Sequence, residues 1–342
     1  MRKMIFTAMM IMAFVCAKAQ DIQLVTVQHG SEMQAFYGPD GFKNAMAAAQ
    51  KGDVISLSGG NFNSATIDKA VTIQGAGYVQ DVKNNRYKTL FIGDVNINLP
   101  EGESGLYIEG ICTYNNFNIQ GNVASMSIVR CLMTNNVEVK SESNNLTFLH
   151  CRINYLKLTG VSHSALVRNC AIEYFYGSNS NAEDGIVENC AIFRCENSVI
   201  SFVFRSSILS YYYRGYNYTD KAVSTSVHNS YYYNLINTRG GFVNDALQEG
   251  NFGDNSGGSG NSSDFLNKYF GDNNANYQST LTLTEEGKQK IKGMDGTEVG
   301  IHGGSMPFTD VPSTPQITQK TVAPQSDANG KLAVKFVIEA QK

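Results

Sequence analysis

Four cysteines, at positions 131, 151, 170 and 190, follow one another at steps of 20, 19 and 20 residues. A period this constant points to a repeat architecture, and it limits what the chain can fold into more than any other feature. The flanking residues keep the same phase. Three residues before each cysteine stand Ile128, Phe148, Val167 and Val187, and five before stand Met126, Leu146, Ala165 and Gly185. Two residues after come Met133, Ile153, Ile172 and Ile192. The frame extends without cysteine. Ser207 takes the reference position with Phe202, Phe204 and Leu209 around it, and Ser230 takes it with Val227 and Tyr232. Upstream, Ile111 fits with Ile108 three before it. Residues 54–76, VISLSGGNFNSATIDKAVTIQGA, read as earlier turns, with Leu57 and Ile73 in the minus-three place.

Each repeat holds two short alternating runs separated by a bend. Alternation with period two means strand, with one face buried. About 20 residues cannot bury a core alone, so successive coils must stack. The minus-three residues then form one interior column. Leucine-rich repeats share the period, but their Leu-x-x-Leu-x-Leu frame is absent. A single-stranded parallel β-helix, an all-β fold, satisfies the pattern. The residue before the reference position is Arg130, His150, Asn169, Asn189 or Asn229. Asparagine tolerates left-handed backbone and bonds to local backbone groups, so these residues are expected at bends rather than at a ligand.

Residues 1–19, MRKMIFTAMMIMAFVCAKA, have the three parts of a signal peptide. Arg2 and Lys3 precede an apolar run from Ile5 to Cys16, and Ala17-Lys18-Ala19 offers a small-x-small cleavage site. The run falls short of the ~20 residues that span a bilayer. Val15 before Cys16 argues against lipid attachment. The expectation is a secreted, periplasmic or outer-surface protein with no transmembrane segment. Without the leader, 24 basic residues face 30 acidic ones, which excludes a phosphate-tracking, nucleic-acid-binding chain as the first reading.

Export permits disulfides among Cys112, Cys131, Cys151, Cys170, Cys190 and Cys195. Coils about 4.8 Å apart would allow neighbouring cysteines to pair. Serine in the same column favours buried, reduced thiols instead. On simple alternation Cys190 and Cys195 in CAIFRC face opposite sides, and no zinc site is expected.

The segment KGDVISLSGGNFNSATIDKAVTIQGAG resembles the first coils of the right-handed parallel β-helix superfamily of pectate-lyase-like proteins. SALVRNCAIEY and GIVENCAIFRC resemble its short repeats. This implies a right-handed helix over roughly residues 35–245 and does not specify an activity. The tail from Asp295 to Lys342 resembles the closing segment of secreted proteins from gut and oral Bacteroidetes.

The ends of the rod need closing. Residues 41–51, GFKNAMAAAQK, predict an N-terminal capping helix, with Asp40 as cap and Phe42, Ala45, Met46 and Ala49 on one face. The expected organisation is a signal peptide over 1–19 and a β-helix over 35–250. A Gly/Asn/Ser-rich loop and capping segment follow over 251–296, then a C-terminal tail with a final strand over 297–342. No cofactor is called for. Asp254 and its neighbouring Asn residues could donate oxygens to calcium, although their spacing matches neither an EF-hand nor a nonapeptide repeat.

Enzymes of the resembled superfamily combine carboxylates with basic residues in one groove. Glu183, Asp184, Arg168 and Arg194 are the catalytic candidates for a polysaccharide lyase or glycoside hydrolase acting on acidic glycans. The residues do not form a complete constellation. The stronger hint is aromatic: Tyr211, Tyr212, Tyr213, Tyr216 and Tyr218, then Tyr231, Tyr232 and Tyr233, hold eight of the 18 tyrosines. With Arg214, the outward members (assigned as Tyr211, Tyr212, Tyr213, Tyr216, Tyr218, Tyr231 and Tyr233) are expected to form a lateral face for a polysaccharide or surface protein. A non-catalytic binding protein is the preferred reading. A purely structural surface protein would need neither feature.

Overall fold

The computed structural model describes residues 23–81, 87–121, 123–140, 142–160, 162–177, 182–183, 185–196, 202–213, 230–239, 248–254, 262–313, 315–323, 325–326 and 329–339. The expected leader lies outside them. Two long parallel sheets build one right-handed solenoid. The first sheet stacks, in order, Val54–Leu57, Thr72–Gln74, Ser104–Glu109, Val123–Val129, Ser143–Leu149, Leu166–Arg168, Gly185–Glu188, Phe202–Arg205, Ser230–Tyr232 and Gln248–Glu249. The second runs from Gly60–Asn63 through Leu132–Val139, Arg152–Leu158, Ala171–Gly177, Ala191–Glu196 and Ile208–Tyr213 to Phe252–Asp254.

The register confirms the interior columns. Ile73, Ile108, Ile128, Phe148, Val167, Val187 and Phe204 pair in sequence from turn to turn. Met133, Ile153, Ile172, Ile192, Leu209 and Ile236 do the same on the second sheet. The column that holds Ala165 and Gly185 is narrow for a reason. Gly185 pairs with Phe202, and a β-carbon on Gly185 would collide with the Phe202 ring. That ring packs edge-on against Phe175, with centroids 5.6 Å apart.

Three details differ from the sequence reading. Ile55, not Leu57, pairs with Ile73, because the ladder between these strands runs from Val54–Thr72 to Ser56–Gln74 and so sets the column two residues earlier. Asn234, not Ser230, holds the reference position after Ser207, since Phe204 pairs with Tyr231 and Ile208 with Leu235. Cys195 does not face away from Cys190. Both are buried, because the chain turns a corner at Phe193 and Arg194 and resets the alternation.

The bend is a column of left-handed residues. Gly110, Arg130, His150, Asn169, Asn189, Ser206, Tyr233 and Gly250 have φ between 48° and 70°. Asn229 lies outside the described residues, and Tyr233 holds the bend of that turn. From Cys131 to Asn234 the residue after each corner ties it to its neighbours. Cys131 Sγ donates to Val129 O at 3.2 Å, and Cys170 Sγ donates to Arg168 O at 3.1 Å. Ser207 Oγ donates to Arg205 O at 2.9 Å, and Asn234 Nδ2 donates to Phe204 O at 2.8 Å. Each of these side chains can also accept. Cys170 Sγ takes Cys151 N at 3.4 Å, Ser207 Oγ takes Cys190 N at 3.1 Å, and Asn234 Oδ1 takes Ser207 N at 2.9 Å. Cysteine, serine and asparagine alternate here because each supplies a donor and an acceptor in a narrow corner. All six described cysteines are free and buried. Burial raises the thiols of Cys131, Cys151 and Cys170 well above their ordinary range.

Helix α1, Gly41–Ala48, closes the first end with Phe42, Ala45 and Met46 buried. Phe42 stacks on Phe91 at 4.5 Å. Asp40 stands at the N-cap without capping through its side chain, which instead accepts a bond from Asn63 Nδ2 at 2.8 Å. After the last turn the chain runs back along the rod as a strap, residues 262–313, containing α2, Ser262–Phe270, and α3, Glu285–Lys290. Phe265, Leu266, Tyr269, Leu281, Leu283, Ile291 and Ile301 cover an apolar outer strip of the second sheet formed by Ala171, Ala191, Phe193, Ile208 and Leu235. The left-handed corners serve as its anchors. Ser206 Oγ accepts Met294 N, Asn169 Nδ2 donates to Ile301 O and Gly303 O, and His150 Nδ1 accepts Thr309 N. An antiparallel hairpin, Gln316–Val322 with Val334–Glu339, ends the described chain.

Candidate functional site

With the strap over one outer strip, the neighbouring edge of the second sheet carries a side-chain ladder. Asn136, Tyr155, Tyr174 and Arg194 are paired in register across successive turns. Parallel strands sit about 4.8 Å apart, so identical flat rings in register are held at stacking distance. Tyr155 and Tyr174 stack with centroids 4.5 Å apart and planes 9° from parallel. The Arg194 guanidinium lies 4.8 Å over the Tyr174 ring and donates to its hydroxyl. Lys157 Nζ lies 5.5 Å from the Tyr155 centroid. Lys157 is itself in register with Glu138 and Tyr176.

The ladder continues toward the N-terminal end in asparagine. Asn136 Nδ2 donates to Asn116 Oδ1 at 3.3 Å, and in the neighbouring column of Glu138 and Lys157 Asn118 Nδ2 donates to Asn96 Oδ1 at 3.0 Å. The two tyrosines use the ring faces between them for each other, and Arg194 takes a further face of Tyr174. The half-buried rings stand beside two cations, Arg194 and Lys157, with the Tyr174 hydroxyl already bonded to Arg194. This surface is suited to hydrogen-bonding a polyhydroxylated or polar chain laid along the rod. It is less suited to stacking sugars flat on ring faces.

Glu173 borders the ladder where the strap crosses. Its Oε2 is buried with no hydrogen-bond partner. Burial raises its carboxyl above the usual range, outweighing the nearby Tyr277 backbone and Arg194.

The sequence-predicted residues are spread over separate surfaces. Arg168 stands on the first sheet, where Glu188 pairs with it at 3.1 Å and with Arg205 at 2.8 Å. Arg194 stands on the second sheet in the ladder, so the two arginines do not share a groove. Glu183 is in register with His163 on the first sheet, and Asp184 lies outside the described residues. Tyr211, Tyr212 and Tyr213 end the strand Ile208–Tyr213; Tyr212 pairs with Cys195 and Thr238, and Tyr213 with Glu196 and Arg239. Tyr231 pairs with Phe204 and Gln248. Tyr233 occupies a left-handed corner, and its hydroxyl donates to Glu249 Oε1 at 3.3 Å. Arg214, Tyr216 and Tyr218 lie outside the described residues. The Asp254 carboxylate is engaged by Lys268 Nζ at 3.1 Å and by the Tyr269 hydroxyl. Among the described residues, no group of three or more His, Cys, Asp or Glu could hold a metal ion, and no helix is long and apolar enough to cross a membrane.

Local tyrosine density does not pick out Tyr155 and Tyr174. Their 19-residue separation, one repeat of the cysteine frame, is the signal that does. A comparison with protein-family models finds no match, and a comparison with curated proteins finds none either.

Proposed function

We propose that this is an exported, non-catalytic β-helix protein that binds a glycan or a surface partner along one lateral face. The observation that carries the reading is the Tyr155–Tyr174 stack with Arg194 and Lys157 against it. It is a rigid, preorganised row of hydroxyls and cations repeating at the coil spacing. Preorganisation lowers the entropy lost when a long ligand is held through many shallow contacts. Of the later tyrosines, Tyr213 is proposed as the extension of this face toward the later turns; Tyr212 and Tyr231 are in register with buried Cys195 and Phe204 instead. Tyr213 and Arg239 are register neighbours there.

The test is binding of the processed chain to a panel of neutral and acidic polysaccharides, measured by calorimetry and by retardation in affinity gels. Y155A and R194A should each weaken a hit about tenfold, while T147A on the first sheet leaves it intact. Binding that is indifferent to Y155A, Y174A and R194A, or release of unsaturated or reducing-end product from any polymer, would replace this reading.

A further inference from the structure

Among the described residues, the first sheet begins at a strand with one open edge. Glu32–Tyr37 is hydrogen-bonded on one side to Leu24–His29 and is the terminal strand in the order of the described sheet. An open edge displays a row of backbone donors and acceptors ready for another strand. Met33 and Tyr37, on one face of it by alternation, are 71% and 66% exposed.

The other end of the chain has the complementary feature. The hairpin Gln316–Val322 with Val334–Glu339 forms a two-stranded sheet that joins neither long sheet among the described residues. Two strands alone are marginally stable in water and gain from added strands. Val334 and Ile338, again on one face, are 44% and 60% exposed. The charges also match. Glu32 and Asp40 flank the open edge, whereas the hairpin and its connection carry Lys320, Lys331 and Lys335 against Asp327 and Glu339.

Placement selects the occupant. The hairpin leaves the rod just after Ser313 bonds to Glu109 and Pro312 abuts Gly77, so it emerges near the same end that bears the open edge. Two copies brought together at that end could each give a hairpin and each receive one. Such an exchange is self-complementary about a twofold axis and closes without forming a fibre.

We infer that this chain forms a twofold dimer in which the C-terminal hairpin of each copy adds to the outer edge of Glu32–Tyr37 in the other. Backbone pairing extends the first sheet, and Met33 and Tyr37 meet the apolar face that carries Val334 and Ile338. Sedimentation equilibrium of the processed chain should show a dimer at micromolar concentration. M33D and I338D change exposed side chains, so both should keep the far-ultraviolet dichroism of the parent while raising the dissociation constant about tenfold or more. Mixing Y37C with I338C under mild oxidation should yield a disulfide between the two different chains. A parent chain that stays monomeric at roughly 100 μM would overturn the inference. So would a dimer unaffected by both M33D and I338D, or failure of the mixed cysteine pair to cross-link.

Discussion

Ser313 binds Glu109 through two hydrogen bonds: its backbone N–H donates to Oε1 at 2.8 Å and its hydroxyl to Oε2 at 2.7 Å. The residues are 204 positions apart in sequence. Glu109 is fully buried and also accepts from Arg130 Nη1 at 2.9 Å and from the Tyr107 hydroxyl at 2.8 Å. Burial alone would push this carboxyl up. The Ser313 bonds, with Tyr107 and Arg130, outweigh burial and hold it below the usual range. The strap therefore ends on a carboxylate already committed to the rod. E109Q leaves the Arg130 guanidinium largely buried without its counter-charge and should cost about 3 kcal/mol, whereas S313A should cost about 1. Urea titration measures both. Equal effects for the two variants would mean that the ion pair adds nothing to the hydrogen bonds.

The His150 imidazole predicts how stability varies with pH. Burial first, and then the Arg130 charge, lower its pKa to about 4. In the unfolded chain the group titrates near 6.5. A depressed histidine contributes stability that is complete above the unfolded value. That stability declines as pH falls from 6.5 towards 4, because the unfolded state binds the proton first. The full loss is about 3 kcal/mol, and most of it should precede titration of Glu109, whose own pKa is lowered. Urea midpoints at pH 7 and pH 5 should differ for the parent chain. In H150N the difference should shrink, because asparagine keeps the left-handed backbone and does not titrate there. An unchanged pH slope in H150N would assign the effect elsewhere.

The repeat frame was legible because one physical requirement, filling an interior at fixed spacing, recurs every turn. Ile128, Phe148, Val167 and Val187 pair in the predicted phase. The reading lost phase where coil length changed. Between Ser207 and Asn234 the chain takes 27 residues, and a fixed period selects Ser230 instead. It also lost phase at corners, where Cys195 turns inward against simple alternation. The strap was not legible at all. Asn169 and His150 were chosen by backbone geometry, and nothing in their local sequence shows that Ile301, Gly303 and Thr309 dock on them from more than 130 residues away. The Tyr155–Tyr174 ladder was available in the same period as the cysteines, but the denser tyrosines near residue 212 concealed it.

The thiol column should be chemically silent and tolerant of serine. Cys131, Cys151, Cys170 and Cys190 are each fully buried, so an aromatic disulfide reagent should label none of them in the folded chain at pH 8. All six should react in denaturant. Because Ser207 fills the same position with the same bonds, C151S should cost at most about 1 kcal/mol. C151V removes the donor to Ile128 O and Leu149 O and adds a methyl group to a narrow corner, and should cost about 2 kcal/mol or more. Rapid labelling of the native chain, or equal penalties for serine and valine, would contradict a hydrogen-bonding role for the column.

Asn169 joins the two design elements of this molecule, the left-handed corner and the strap anchor. Its φ is 48°, and its Nδ2 donates to Ile301 O at 2.9 Å and Gly303 O at 3.0 Å. The two roles separate on substitution. N169G keeps a backbone at ease with positive φ and loses only the side-chain bonds, leaving two strap carbonyls short of a donor. That should cost about 2 kcal/mol. N169A loses the same bonds and also holds a β-carbon in the left-handed region, adding about 1 kcal/mol. Limited proteolysis distinguishes where the loss is felt. If the bonds secure the strap, both variants should be cut within residues 295–313 sooner than the parent, and by similar factors. The extra penalty of N169A should appear only in global unfolding. Cleavage that follows global stability instead would show that the strap and the rod open as one unit.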